Sequence, residues 1–444
     1  MRAVAFCFPD ESLGRENSPG PDGTRLAPER NPWTWGESVS LPENRTSYDE
    51  VPYKSFPFPQ SHPDRLATVA TLFGMTPPPV EHCRVLELGC SSGGNLIPLA
   101  EQLPESRLVG IDASQRQIAD GQETVRALGL TNIDLQQRDI ASVRPEFGEF
   151  DYIIAHGVFS WVPNAVQDCI LEICARNLAP QGIAYVSYNT YPGWHMDFVR
   201  NRMFRQTLRC HRGVALDRGL SPERVHKLHM SSPARPEAER VNLVSTEPLT
   251  FRGPNSVMTT TEPLVKAAML QLVDAWPVAV PFNSLLATAR SRTEPQAVVV
   301  DTGRLSRDAR RLAEPLLRCY ATTQVELSVR PSDFTIDPGE RPTASRLARH
   351  QARASNTVTN LRHTSVQLSD LERHVLQQLD GQSGRAEILS RLLECVASGE
   401  LAVQDQGQPV RDSAALAEIL RKAIDQVLPQ LGRQALILKQ GTRS

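Results

Sequence analysis

The segment Val85-Leu86-Glu87-Leu88-Gly89-Cys90-Ser91-Ser92-Gly93-Gly94-Asn95 places a carboxylate two residues ahead of a glycine-rich turn. Glycines there let the backbone reverse sharply and let a ligand approach closely. Three chemistries compete for such a turn. A dinucleotide fingerprint wants glycine at its first, third and sixth positions, and the third here is Ser91. A nucleophile elbow, G-x-S-x-G, matches from Gly89 to Gly93 with Ser91 as nucleophile. Its partners are unconvincing, because Asp151 begins an apolar run rather than ending one and His195 follows an aromatic loop. The third chemistry is a pocket for S-adenosylmethionine.

That third reading uses two further acids. Asp112 closes the apolar run Val109-Gly110-Ile111, where a carboxylate can accept both hydroxyls of a ribose. Asp139 closes the next run and can accept from an adenine amino group, with Ile140 against the ring. Three acids suit a ligand carrying an ammonium, a ribose and an adenine, and they would repel a pyrophosphate. Each has a plainer alternative: Glu87 as acceptor for turn amides, Asp112 as the start of a loop before Ser114, Asp139 as a turn residue. The expected donor contacts are Glu87, Gly89, Cys90, Ser91, Gly93, Asn95, Asp112, Ala113, Asp139, Ile140 and His156. No grouping of His and Cys supports a metal.

The elements that must position these residues follow from hydrophobic patterning. A helix opens at Pro63 and runs to Phe73, with Leu66, Val69, Ala70 and Phe73 on one face. Strands are expected at 84–88, 107–112, 133–139, 150–156 and 183–188. Helices alternate with them at about 95–103, 115–128 and 165–178, the second capped by Ser114 and ended by Gly129. Such alternation means right-handed crossovers and a parallel sheet covered on both faces, that is, an α/β, doubly wound, Rossmann-like domain. The three acids then fall on one edge of the sheet, where open α/β folds bind ligands.

Composition bounds the rest. The 444 residues allow two or three domains, and 48 basic against 50 acidic residues give a net charge of −2, so no global field points to nucleic acid or an anionic membrane. The stretch 200–363 carries roughly +10, read as a solvated basic face. No apolar run is long enough to span a membrane. Eight cysteines without a CxxC pair argue for a reducing compartment, with the cytoplasm as the expected location. Asn44-Arg45-Thr46 matches a glycosylation sequon, read as chance in the absence of a secretory signal. Residues 1–43, rich in Pro, Gly and charge without periodicity, read as a disordered leader.

Beyond Asp197 the patterning weakens. Phe198 to Cys210 reads as a basic helix, and 211–248 as polar and irregular. Helices are expected at 264–276 and 308–319, a strand at 323–329 and a polar connector at 338–359. Two helices separated by Gly381 and Gly384 follow, then a last helix at 413–427 and a closing strand at Ala435-Leu436-Ile437-Leu438.

The general motifs resemble those of class I S-adenosylmethionine-dependent methyltransferases. A narrower resemblance rests on Ser47 to Tyr53, on Phe56 to Leu66 with His62-Pro63-Asp64-Arg65, and on His156-Gly157-Val158-Phe159-Ser160-Trp161-Val162. Tyr188-Asn189-Thr190-Tyr191-Pro192-Gly193-Trp194 and Val358-Thr359-Asn360-Leu361-Arg362-His363 extend it. These are similar to bacterial methyltransferases that carry a methyltransferase regulatory domain, among them rickettsial protein lysine methyltransferases. The resemblance implies a methyltransferase domain over 44–210, a regulatory domain over 211–345 that is shorter than usual, and a winged-helix-like domain over 346–444. It implies a protein lysine as methyl acceptor; a small-molecule acceptor, or a cofactor-binding regulator without catalysis, are the alternatives. The expected catalytic group is His156 with Tyr191 and Trp194, the last two being candidates for an aromatic wall together with Tyr48, Tyr53, Phe159 and Trp161. Oligomeric state is not legible.

Overall fold

The computed structural model describes residues 2–6, 54–189, 204–294, 302–405, 408–410, 412–439 and 441. Its largest element is a seven-stranded sheet built from β1 (Arg2–Phe6), β2 (Arg84–Leu88), β3 (Arg107–Asp112), β4 (Ile133–Gln137), β5 (Phe150–Ala155), β6 (Leu178–Asn189) and β7 (Phe204–Cys210), in the order β1-β7-β6-β5-β2-β3-β4. β6, β5, β2, β3 and β4 are parallel, and β7 runs antiparallel between β6 and β1. From β2 the chain winds out through β3 and β4, then returns to β5 on the other side. The carboxyl ends of β2 and β5 therefore form the switch point of the sheet.

Period-two alternation sends the two sets of strand side chains to opposite layers. Val85, Leu108, Leu135, Tyr152 and Ile154 pack with α1 (Pro63–Leu72), α2 (Leu96–Gln102) and α3 (Gln115–Leu128). Leu86, Leu88, Ile111, Ile153 and Ala155 pack against α4 (Asn164–Arg176). α3 starts where the Ser114 hydroxyl accepts from Gln117 N–H, and ends at Gly129 with φ 62°, as its sequence punctuation predicts.

Two further cores follow. One joins residues 225–327 around α5 (Pro263–Ala275), α6 (Phe282–Thr293) and α7 (Thr302–Ala321), and Leu72 of α1 enters it. The other joins α8 (Arg346–Gln351), α9 (Asp370–Gln377), α10 (Arg385–Ser398) and α11 (Ser413–Arg433) with a hairpin of Thr357–Thr359 and Ser365–Gln367. Among the described residues no helix is long and apolar enough to cross a membrane.

Several expectations need correcting. Phe204–Cys210 is a strand, not the end of a basic helix, because β6 and β1 pair with it on both sides. Arg2–Phe6 is a strand in that sheet and not part of a disordered leader; the other leader residues, with Asn44, Tyr48 and Tyr53, lie outside the described residues. The polar connector contains α8 and a strand, and α6 was not anticipated. The closing strand is reduced to bridges from Ile437 to Ala344 and from Leu438 to Phe334.

Candidate active site

The glycine-rich turn leaves β2 and enters α2 at the switch point. Gly89 and Gly93 have φ of 75° and 77°, and Ser91 takes φ 52°, a conformation that strains a residue with a side chain. A Cβ on Gly89 would lie 2.4 Å from Val158 Cγ2, so the loop after β5 is seated directly on the turn. Gly89 and Cys90 N–H both donate to the Ile111 carbonyl, at 2.8 and 3.0 Å. The Cys90 side chain is buried beneath the turn, against the space that Gly110 leaves open, so only its backbone reaches the rim.

Asp112 ties the turn to the next strand. Its Oδ2 accepts from Ser91 N–H at 2.8 Å and its Oδ1 from Ser114 N–H at 2.9 Å. Asp139 follows β4 and caps a short 3-10 turn, Ile140–Ser142, by accepting from Ala141 N–H at 2.8 Å; it is exposed, and Ile140 is half-buried. Ala113 is exposed beside them, its carbonyl accepting from Gln137 Nε2. The three acids therefore stand at or beside the ends of β2, β3 and β4, as the alternation of strands and helices predicts.

Glu87 is the buried member of the set, 3% exposed. Its Oε1 accepts from Asn95 Nδ2 at 2.9 Å, while its Oε2 has no partner. Burial pushes its carboxyl up to about 8, with Asn95 opposing the rise and the Asp112 charge adding to it. Ser91 Oγ is likewise buried without a partner. Two unsatisfied polar atoms at one glycine turn cost free energy unless something else bonds them. An acid-lined rim with such atoms fits a cationic nucleoside donor. It does not fit a nucleophile elbow, since no described base reaches Ser91 Oγ.

The proton on Glu87 makes stability depend on pH. With its folded-state value above the unfolded one, this group's contribution is fully present at low pH and is lost as pH rises toward 8. Glu87→Gln cannot ionise. It is expected to gain on the parent chain between about pH 5 and 8 and then hold level. Thermal melts across that range check it; a difference that does not vary with pH would rule it out.

Sequence reasoning singled out the run Phe56 to Leu66 but not its crossing of the turn. Ser55 Oγ accepts from Gly94 N–H at 2.8 Å, and a Cβ on Gly94 would meet the Ser55 backbone at 2.6 Å. Phe58 N–H donates to Asn95 Oδ1 at 2.9 Å. The Phe58 ring stacks on His156 at 3.8 Å, and His156 Nδ1 lies 3.0 Å from Tyr185 Oη. The second glycine of the Gly93-Gly94 pair was the available signal for this close crossing. Tyr191 and Trp194 lie outside the described residues. Asp64, two residues past His62, reaches the middle region: its Oδ1 accepts from Val329 and Arg330 N–H at 3.1 and 3.0 Å. Burial pushes the Asp64 carboxyl up to about 7, against the pull of those backbone donors and of Arg330.

Residues 85–182 match the family described as methyltransferase domain, and residues 340–436 match the family described as PKMT, C-terminal winged helix domain. Fold, turn and rim together define an S-adenosylmethionine-dependent methyltransferase of the Rossmann-like class, joined to a winged-helix domain of the PKMT type.

Similarity to particular proteins runs further along the chain. It is 26% identical over 525 residues to the uncharacterized protein RP789 of Rickettsia prowazekii, covering 88% of this chain and 93% of that one. The solved structure of PKMT2 from Rickettsia typhi in complex with AdoHcy shares the fold at TM-score 0.78 and 22% identity, over 87% of this chain and all of that one. Trans-aconitate 2-methyltransferase of Methylobacterium nodulans is 32% identical over 99 residues, covering 22% of this chain and 35% of that protein.

Proposed function

We propose that the chain methylates protein lysine side chains. The observation that carries this reading is the pairing of a methyltransferase domain with a PKMT-type winged helix, in an architecture shared with PKMT2 along most of the chain. We read 211–345 as a shortened regulatory region; the alignment to RP789, at 525 residues, is longer than this whole chain. A small-molecule acceptor is the second reading, favoured by the similarity of the catalytic domain to trans-aconitate 2-methyltransferase. We place the chain in the cytoplasm, in keeping with seven described cysteines that are all free thiols.

S-adenosylmethionine supplies an electrophilic methyl group on a sulfonium centre. In our reading Glu87, oriented by Asn95, would hold its amino-acid end, Asp112 its ribose, and Asp139 with Ile140 its adenine. Gly89, Cys90, Ser91, Gly93 and Ala113 offer backbone groups. The protein mainly aligns donor and acceptor for in-line transfer. A lysine must also shed a proton; from a reference pKa near 10.4, keeping it neutral near pH 7 costs about 4–5 kcal/mol, part of which desolvation can supply.

His156 is already engaged by Phe58 and Tyr185, so we assign it as a rigid wall of the pocket rather than a base. General-base removal costs about 10²–10⁴ in rate. His156→Phe is therefore expected to keep kcat within about tenfold of the parent; a loss of a hundredfold or more would make it the base. Tyr191 and Trp194 remain proposed acceptor-side residues.

The acceptor is tested by incubating the chain with methyl-labelled donor and a lysate. Label recovered as methyl-lysine after protein hydrolysis supports the proposal. Label confined to low-mass metabolites moves the assignment to the second reading.

A further inference from the structure

His363 carries the C-terminal unit into the donor site. It sits in the turn Asn360-Leu361-Arg362-His363 between the hairpin strands, buried to 1% exposure and with φ 59°. Its Nε2 lies 2.7 Å from Asn95 Oδ1, across 268 residues of chain. The proton in that contact can be placed. Phe58 N–H, which can only donate, reaches the same Asn95 atom at 2.9 Å, so that atom is the amide oxygen. His363 must then hold its proton on Nε2. The Asn95 amide nitrogen faces Ser61 Oγ at 3.1 Å and Glu87 Oε1 at 2.9 Å. A directed chain thus runs from His363 through Asn95 to Glu87.

The arrangement is costly and the local fold does not require it. His363 Nδ1 is buried without a partner, which costs about 1–3 kcal/mol. A left-handed φ on a residue with a Cβ adds about 1 kcal/mol. The turn is shaped by other contacts. Asn360 Oδ1 accepts from Arg362 and Thr364 N–H, and Asn360 Nδ2 donates to the Gln434 carbonyl. Arg362 reaches both Glu326 oxygens at 2.8 Å. An apolar side chain at 363 would avoid the unsatisfied nitrogen and keep all of these. What it would lose is the hold on Asn95. Burial keeps His363 well below its ordinary pKa, with neighbouring His62 adding to this, so the ring is neutral, and the contact with Asn95 places its single proton on Nε2.

We infer that His363 is a positioning residue for the methyl donor: it fixes the Asn95 amide so that Glu87 Oε1 is engaged and Oε2 is presented to the donor. The inference rests on the reading of Glu87 as a donor contact. It makes the winged-helix domain part of the donor site.

The test measures S-adenosylhomocysteine binding by calorimetry on the full chain and on His363→Phe, His363→Gln and Arg362→Ala, with folding checked by circular dichroism. His363→Phe is expected to weaken binding at least tenfold. His363→Gln, whose amide can replace the Nε2 donor, and Arg362→Ala, which loosens the same turn elsewhere, are expected to stay within threefold. A folded His363→Phe with parental affinity overturns the inference, as does a Gln or Ala variant as weak as the Phe variant. Should His363→Phe fail to fold, nitrogen spectra of the parent chain decide. The Nε2–H tautomer at His363, with a signal that moves on adding S-adenosylhomocysteine, supports the inference; the Nδ1–H tautomer or an unmoved signal overturns it. If the parent chain binds no S-adenosylhomocysteine, the donor assignment itself falls, and the inference with it.

Discussion

Asp112→Ala is expected to weaken binding of S-adenosylhomocysteine by about 100- to 1000-fold, equivalent to about 3–4 kcal/mol. Two losses combine. In our reading the carboxylate accepts the ribose hydroxyls, and charge-assisted bonds of that kind are worth about 1.5–3 kcal/mol each. The same carboxylate also holds Ser91 and Ser114 N–H. Ser91 is kept at φ 52° partly by that bond, so the turn relaxes when it is cut. Calorimetry on the folded variant gives the number. Asp112→Asn retains acceptor capacity on one oxygen and should fall between the two. A loss below tenfold for the alanine variant would mean that Asp112 only braces the loop, with the donor's ribose held elsewhere.

Glu101→Leu should produce the largest loss of stability, about 3–5 kcal/mol. Glu101 lies in α2, 3% exposed, and serves another domain entirely. Its Oε2 accepts from Ser345 Oγ at 2.7 Å and from Leu347 N–H at 3.3 Å, and its Oε1 accepts from Arg346 N–H at 2.6 Å. These groups form the amino end of α8, so the carboxylate bonds donors that the helix cannot satisfy itself and favours its dipole. Leucine fills the volume but strands three donors. Thermal melts at a fixed scan rate should show a drop of about 3–5 °C for a chain of 444 residues. Glu101→Gln, with one acceptor oxygen, should show a smaller one. An unchanged midpoint for the leucine variant would show that water reaches those donors.

The α/β region was legible because its signals are local. Glu87 to Asn95, Asp112 and Asp139 mark strand ends through the change from apolar run to turn, and Ser114 and Gly129 bound α3 by capping chemistry. β7 was misread because the spacing Phe198, Val199, Met203, Phe204, Leu208 fits a helix, whereas the conformation of 204–210 is set by two neighbouring strands that a local window does not include. α6 escaped because it starts after Pro281 with no polar cap. At the site, the order of the acids was readable; their partners were not. Asp64 with Arg330, Glu101 with Arg346 and Asn95 with His363 join residues 266, 245 and 268 positions apart. Their residue types alone carry no distance information. The run Val358 to His363 stood out as a motif, but its contact with Asn95 became visible only in the structure.

The bond between His363 and Asn95 also sets a schedule for biosynthesis. The sheet strands are complete once residue 210 has left the ribosome, yet the groups that Glu101 caps and the His363 partner of Asn95 are translated only at 345–363. At about 5–20 residues per second, the nascent chain spends on the order of ten seconds or more with those groups waiting. A chain cut short before residue 345 therefore carries the sheet strands but neither the His363 bond to Asn95 nor the helix end that Glu101 caps.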